Sequence, residues 1–369
     1  MSLLPDPLAI ADGAVLTAAP IAVDRHTMSA RSLLRYLEIK VHHLIQEQLW
    51  DSIHVIGDYD RLAVISRLEK TGKLFNWERP TAEVRGRHLV IKAFPGVDYV
   101  HHYGLIIATY LAMIGRPADT VTYELPDTLL CHEVVKKLDI ELDGDLVIVG
   151  WGLEHLAPVH GVWVYGPGCA WQRAVVHGRR VVYLGFLHSI WGEVAGRVVG
   201  RLAELGAGDV VYVGKVGALA PEIEPNTMLA TGDQSLVEGT LIEWDDFFGG
   251  FAAAKTGVHT GIHVTSPSIL LENRDWLTQH AEHAFVDPEI GHMGKAAHDA
   301  GIRFGYLHII SNNLARHYPA DLSNERHRHV IYRRAVLINR IRDIIAKRLA
   351  THPVRTPQEE IDYGNRSGI

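Results

Sequence analysis

Cysteine is nearly missing: Cys131 and Cys169 are the only two in 369 residues, which leaves neither a disulfide framework nor a zinc cluster and fits a reducing compartment. A basic surplus is missing too. Lys and Arg total 36 against 43 Asp and Glu, a formal net charge of −7. Without cationic excess for a phosphate backbone, any nucleic-acid link points to a nucleoside or nucleotide rather than a polymer. No apolar run reaches the length that spans a bilayer. The stretch from Met1 to Met28 is interrupted by Pro5, Asp6, Pro7, Asp12 and Pro20 and lacks a basic lead, unlike a signal peptide. A soluble cytoplasmic protein with no membrane partner is expected.

What is present is ample core material. Hydrophobic residues make up 47% of the chain, enough for one large α/β domain with an extension or for two modest domains. Ser29 to Trp50 reads as one amphipathic helix, with Leu33, Leu34, Leu37, Val41, Leu44, Ile45 and Leu49 at helical spacing. From Ile53 to Val121 strand and helix patterns alternate, punctuated by Gly57, Gly86, Gly96 and Gly115, with Leu89-Val90-Ile91 a strand. A similar block starts at Asp145. Val55-Ile56-Gly57 matches Ile148-Val149-Gly150, and Gly86 to Ile91 matches Gly178 to Tyr183, at an offset of about 92 to 94 residues. A duplication accounts for this, as would two ordinary strand-helix units. Ser323 or Asp321 can cap a terminal helix carrying Ile331, Leu337, Ile338, Ile341, Ile344, Ile345 and Leu349.

The 23 histidines invite a metal reading, with His259 and His263 four apart and His280 and His283 three apart. But the first pair lies in glycine-flanked extended sequence, such spacings arise by chance, and His42, His43, His101, His102, His327 and His329 share no carboxylate pattern. No metal is expected.

The richest stretch runs from Phe285 to Asn313. Val286-Asp287-Pro288-Glu289-Ile290-Gly291 brings a carboxylate to the start of a small-residue helix, and Tyr306 to Asn313 is an apolar strand ending in two amides. This pairing resembles the nucleoside phosphorylase and nucleosidase superfamily, whose segments look like V-D-M-E-G-A-A followed by a strand ending I-S-D-N. Pro288 replaces the Met and Asn312 the Asp. Val211 to Leu219 and Pro225 to Thr231 are similar to further family segments, so the resemblance covers residues 145 to 350.

The resemblance implies a three-layer α/β fold with a central mixed sheet. Residues 1–50 are then an N-terminal arm and helix, 51–144 a partial repeat of the domain, 145–352 the phosphorylase-like domain and 353–369 a flexible tail. It also implies cleavage or transfer at the N-glycosidic bond of a purine-like nucleoside by a homo-oligomer. No cofactor is implied, with inorganic phosphate as co-substrate. The alternatives are a phosphate-independent nucleosidase and a non-catalytic nucleoside-binding protein or specialised enzyme on the same fold.

By the same resemblance Glu289 holds the sugar hydroxyls, although a carboxylate there also suits a helix N-terminus. Asn312 contacts the base, as an amide that donates a hydrogen bond but cannot deliver a proton. Val216 and Gly217 belong to the substrate-binding glycine turn, and Ser266 lies where base-pocket residues are found. His188 stands in the turn beside the sugar. For phosphate, Lys215 and the Gly57-Asp58-Tyr59-Asp60-Arg61 turn, with Gly57 and Arg61, are the candidates, against the simpler reading of a solvated lysine and a lost phosphate site.

Overall fold

A computed structural model describes residues 14–70 and 73–351. The first thirteen residues of the expected arm and the expected tail at 353–369 lie outside the described residues.

The first block forms a five-stranded sheet in the order β1-β5-β2-β4-β3, from β1 (Val15–Thr17), β2 (Ser52–Ile56), β3 (Thr81–Arg85), β4 (His88–Lys92) and β5 (Val121–Glu124). The second sheet runs β18-β10-β6-β9-β8-β7. Its strands are β6 (Leu146–Gly150), β7 (Val164–Gly166), β8 (Cys169–Val176), β9 (Arg179–Phe186), β10 (Asp209–Val213) and β18 (Arg303–Tyr306). The two share a motif. In each, a central strand (β2, β6) lies parallel to neighbours on both sides (β4 and β5, β9 and β10), and an antiparallel strand (β3, β8) closes the outer side of β4 or β9. The continuously buried text of β6 suits a strand covered on both faces.

A third sheet of eight strands adds β11 (Lys215–Ala218), β12 (Leu229–Thr231), β13 (Gln234–Val237), β14 (Thr240–Glu243), β15 (Val258–Thr260), β16 (His263–Thr265), β17 (Phe285–Asp287) and β19 (His308–Asn313), ordered β14-β13-β16-β17-β11-β19-β12-β15. The architecture is thus α/β with mixed sheets. The strand expected from Tyr306 is split, Tyr306 ending β18, Leu307 lying between, and His308–Asn313 forming β19 in the third sheet.

The expected helix from Ser29 to Trp50 is two helices, α1 (Ala30–Glu38) and α2 (His43–Glu47). His42 breaks it: its backbone is extended and its Nδ1 accepts the Leu44 amide, starting a new helix while Leu33, Leu37, Val41 and Ile45 stay buried. Between them lies Lys40, its carbonyl held by the Tyr103 hydroxyl at 2.9 Å. Helices α3 (Val97–Met113), α4 (Thr128–Lys136), α5 (Leu153–Leu156), α6 (Glu193–Glu204), α7 (Arg274–Gln279) and α8 (Ile290–Ala300) follow, and α9 (Arg328–Thr351) ends the described chain. Neither proposed cap starts α9. Asp321 instead accepts the Ser323 amide and hydroxyl in a turn seven residues earlier, and Ser323 is that turn's donor.

Separate apolar cores fill the first block and the two faces of the second sheet. The blocks are joined by main chain. Asn76 N donates to Phe186 O at 2.8 Å, and Trp77 N and Glu78 N donate to Leu187 O at 3.0 and 3.1 Å, so the segment before β3 is pinned to the end of β9.

Candidate active site

A cavity of about 210 Å³ opens where the first block, the end of the second sheet and the third sheet meet. The start of α8 shapes its floor. Asp287 Oδ1 accepts the amides of Glu289 and Ile290 at 2.9 and 2.8 Å, so Asp287 caps the helix while the Glu289 side chain makes no capping bond. The carboxyl of Glu289 is left to the cavity. Burial, with Asp287 beside it, pushes its pKa well above the ordinary carboxyl value, and Lys215 offsets only part of that. The Tyr212 hydroxyl is set against it, and burial together with Glu289 raises that phenol as well.

Asn312 lies on the cavity wall beside β11. The Ser311 hydroxyl donates to its Oδ1 at 3.0 Å, and its amide nitrogen has no protein partner among the described residues. The register between β11 and β19 slips between Val216 and Gly217, turning the strand end toward the cavity. Gly217 makes this approach possible, since a Cβ there would stand 2.8 Å from Leu314 Cδ1 and 3.1 Å from Asn312 Nδ2. Asn313 is fully occupied, donating to Ala220 O and Ile223 O and accepting from Ala315 N and Arg316 N.

Of the residues singled out from sequence, the cavity gathers Glu289, Asn312, Val216, Gly217, His188 and Lys215. His188 stacks on Phe94 at 4.9 Å with Nδ1 3.1 Å from Ser189 O, and burial lowers its pKa. Lys215 is paired with Glu325, which also receives Arg334 at 2.9 Å. Ser266 is outside the lining. It is buried, donates to Ser268 O at 3.1 Å, and sits behind Glu272. Arg61 is outside as well, tied to Glu69, near Glu78 at 4.0 Å, and stacked over Trp77. Gly57 meets Pro126 and Val100 in the first block, a packing requirement. Among the described residues no group of three or more His, Cys, Asp or Glu side chains is placed to hold a metal ion, and no helix is long and apolar enough to cross a membrane.

Sequence reasoning missed the first block's contribution. Tyr36, Lys40, Lys70, Lys73, Arg79 and Tyr99 all line the cavity. Lys70, Lys73 and Arg79 fall in the irregular segment between β2 and β3, where two lysines flanking a threonine and a glycine were the available signal. Glu272 was missed too; burial pushes its carboxyl up to about 8.

No protein-family model matches the chain. Oxidoreductase cns1 of Cordyceps militaris is 26% identical over 267 residues, 62% of this chain and 33% of that protein, so the chain spans about a third of the length of this curated relative. Solved structures that resemble it include uridine phosphorylase from Vibrio fischeri, at TM-score 0.46 and 12% identity over 57% of this chain and 93% of that one. The 5′-methylthioadenosine/S-adenosylhomocysteine nucleosidase from Neisseria meningitidis gives 0.44 and 15% over 57% and 100%. Futalosine hydrolase of Helicobacter pylori gives 0.40 and 13% over 57% and 97%.

Proposed function

We propose that the cavity binds a purine-like nucleoside and that the protein cleaves or transfers at its N-glycosidic bond. The observation that carries this reading is the division of labour at the start of α8: Asp287 caps the helix, which frees a buried Glu289 carboxyl to face the cavity. A carboxyl in that position accepts hydrogen bonds from two vicinal sugar hydroxyls, and these bonds favour its charged form, which burial alone disfavours.

In this reading the bond from the anomeric carbon to the base nitrogen breaks with its electron pair passing into the base. The developing cation on the sugar is stabilised by the Glu289 side, and the unpartnered Asn312 amide donates to the base as it gains negative charge. The oxygen of phosphate or of water then bonds to the anomeric carbon, water giving up one proton to solvent as it does so, and the base takes a proton from solvent. Trp151, Phe186 and Trp191 on the cavity wall supply flat apolar surface for a heterocycle.

The test is a panel of purine nucleosides incubated with and without inorganic phosphate, reading released base. Base release that requires phosphate supports transfer to phosphate, and release without it supports hydrolysis. No base release and no nucleoside-dependent rise in melting temperature would sink the reading.

A further inference from the structure

Four cations line the cavity from the first block, and among the described residues none has a carboxylate within ion-pair distance. Arg79 is 6% exposed, its Nε has no hydrogen-bond partner, and its one protein hydrogen bond among these residues is a long 3.4 Å contact from Nη1 to the carbonyl of Glu78. The Glu78 carboxyl itself is engaged elsewhere, by the Tyr59 hydroxyl at 3.0 Å and Arg61 at 4.0 Å. Half-buried Lys40 lies over the Tyr36 ring at 5.0 Å and Lys73 near the Trp151 ring at 6.0 Å. Among the described residues neither ammonium has an ion pair, and neither does Lys70.

Burying unpaired charge is costly unless a counter-ion arrives. The carboxylates around the cavity do not provide one. Glu325 is shared by Lys215 and Arg334 and attracts Lys40 and Lys73 only at longer range. Asp287 is committed to the Glu289 and Ile290 amides and lies against His263 and His308, and burial favours the neutral forms of Glu272 and Glu289. We infer that Lys40, Lys70, Lys73 and Arg79 form a binding site for a phosphate-type polyanion, carried as a phosphoester on the nucleoside or present as free phosphate. Planar guanidinium and mobile ammonium groups together suit the several oxygens of such an anion, and the small cavity excludes an extended acidic partner. The titration of the two half-buried lysines agrees. Burial, then Arg79, draws Lys40 down to about 7 despite the pull of Glu325, and burial, then Arg79 and Lys40, lowers Lys70 well below the ordinary lysine value, so an incoming anion restores protons to them.

This inference deepens the reading of the cavity and rests on it only for the anion's carrier being a nucleoside. The test uses the full chain in calorimetry and thermal melting, with three probes: inorganic phosphate, a purine nucleoside, and its 5′-monophosphate. Phosphate or monophosphate should raise the melting temperature, with an enthalpy that varies with the buffer because protons are taken up. Lys70→Gln and Arg79→Gln should each weaken that binding about tenfold.

Arg79→Lys keeps a charge and should recover part of the loss, and Lys73→Gln, at an exposed position, is the variant least able to disturb folding. A monophosphate that displaces inorganic phosphate identifies the anion as part of the substrate. Phosphate that binds together with the nucleoside identifies a free co-substrate. The site is overturned if neither phosphate nor monophosphate binds, or if correctly folded Lys70→Gln, Lys73→Gln and Arg79→Gln all bind both as the parent does. Nucleoside cleavage in the absence of anion binding removes this site and leaves the proposed reaction standing. Phosphate binding without nucleoside binding does the reverse.

Discussion

Asp98 and Glu193 cap each other's helices. Glu193 accepts the amides of Val97 and Asp98 at 2.6 and 3.3 Å through its two oxygens, and Asp98 Oδ2 accepts the Glu193 amide at 3.1 Å. The starts of α3 and α6 therefore meet head to head, each helix following the corresponding strand of its own block, β4 or β9. The two blocks thus share a strand arrangement and a helix start at the same place in it.

The exchange predicts a pH effect. Burial and then Asp98 push Glu193 up to about 7, with His292 at 3.6 Å from Asp98 also facing the pair. A raised carboxyl pKa in the fold stabilises below the ordinary value and loses that contribution as pH rises through about 7. Glu193→Gln should flatten the fall in melting temperature between about pH 5 and pH 8 relative to the parent. Parallel curves for the two proteins would refute it.

Replacing the two carboxyls beside α8 should separate stability from turnover. Asp287→Ala removes a helix cap and should cost about 1 kcal/mol or more in chemical denaturation. Glu289→Gln should leave the denaturation midpoint nearly unchanged while lowering kcat/KM on the active nucleoside about a hundredfold. Equal losses of stability in both would contradict the assigned division.

Gly217→Ala should push on Asn312 and Leu314. Overpacking of this kind costs about 1–3 kcal/mol, and the displaced amide should raise KM or lower kcat even where the protein remains folded. An unchanged melting temperature together with unchanged kinetics would show that the strand end has room to spare.

Asn312→Asp introduces a group that can carry a proton to the base. The pH–rate profile should gain a limb that falls as the new carboxyl ionises, a limb that the parent amide lacks. The profile of initial rates across about pH 4 to 9 reads this directly. Identical profile shapes for parent and variant would place Asn312 away from the departing base.

Much of this arrangement was legible in residue patterns. The apolar text of Leu89 to Ile91 gave β4, and the isoleucines after Arg328 gave α9, because buried faces write their period into the sequence. Glu289 and Asn312 could be singled out because both lie in one local signature. What escaped depends on pairing rather than pattern. Lys215 looked free but meets Glu325, 110 positions away, and Arg61 meets Glu69 and Glu78, whereas Arg79 proved to be the one left unpaired by carboxylates among these. Lys40 was hidden inside what reads as an unbroken helix, and only the switch to a new start at His42 turns its segment toward the cavity.

The main-chain bonds from Asn76, Trp77 and Glu78 to the end of β9 have a consequence for how the pocket behaves on dilution. These two walls belong to one polypeptide, so their contact forms at a fixed one-to-one ratio. That contact should survive at nanomolar protein.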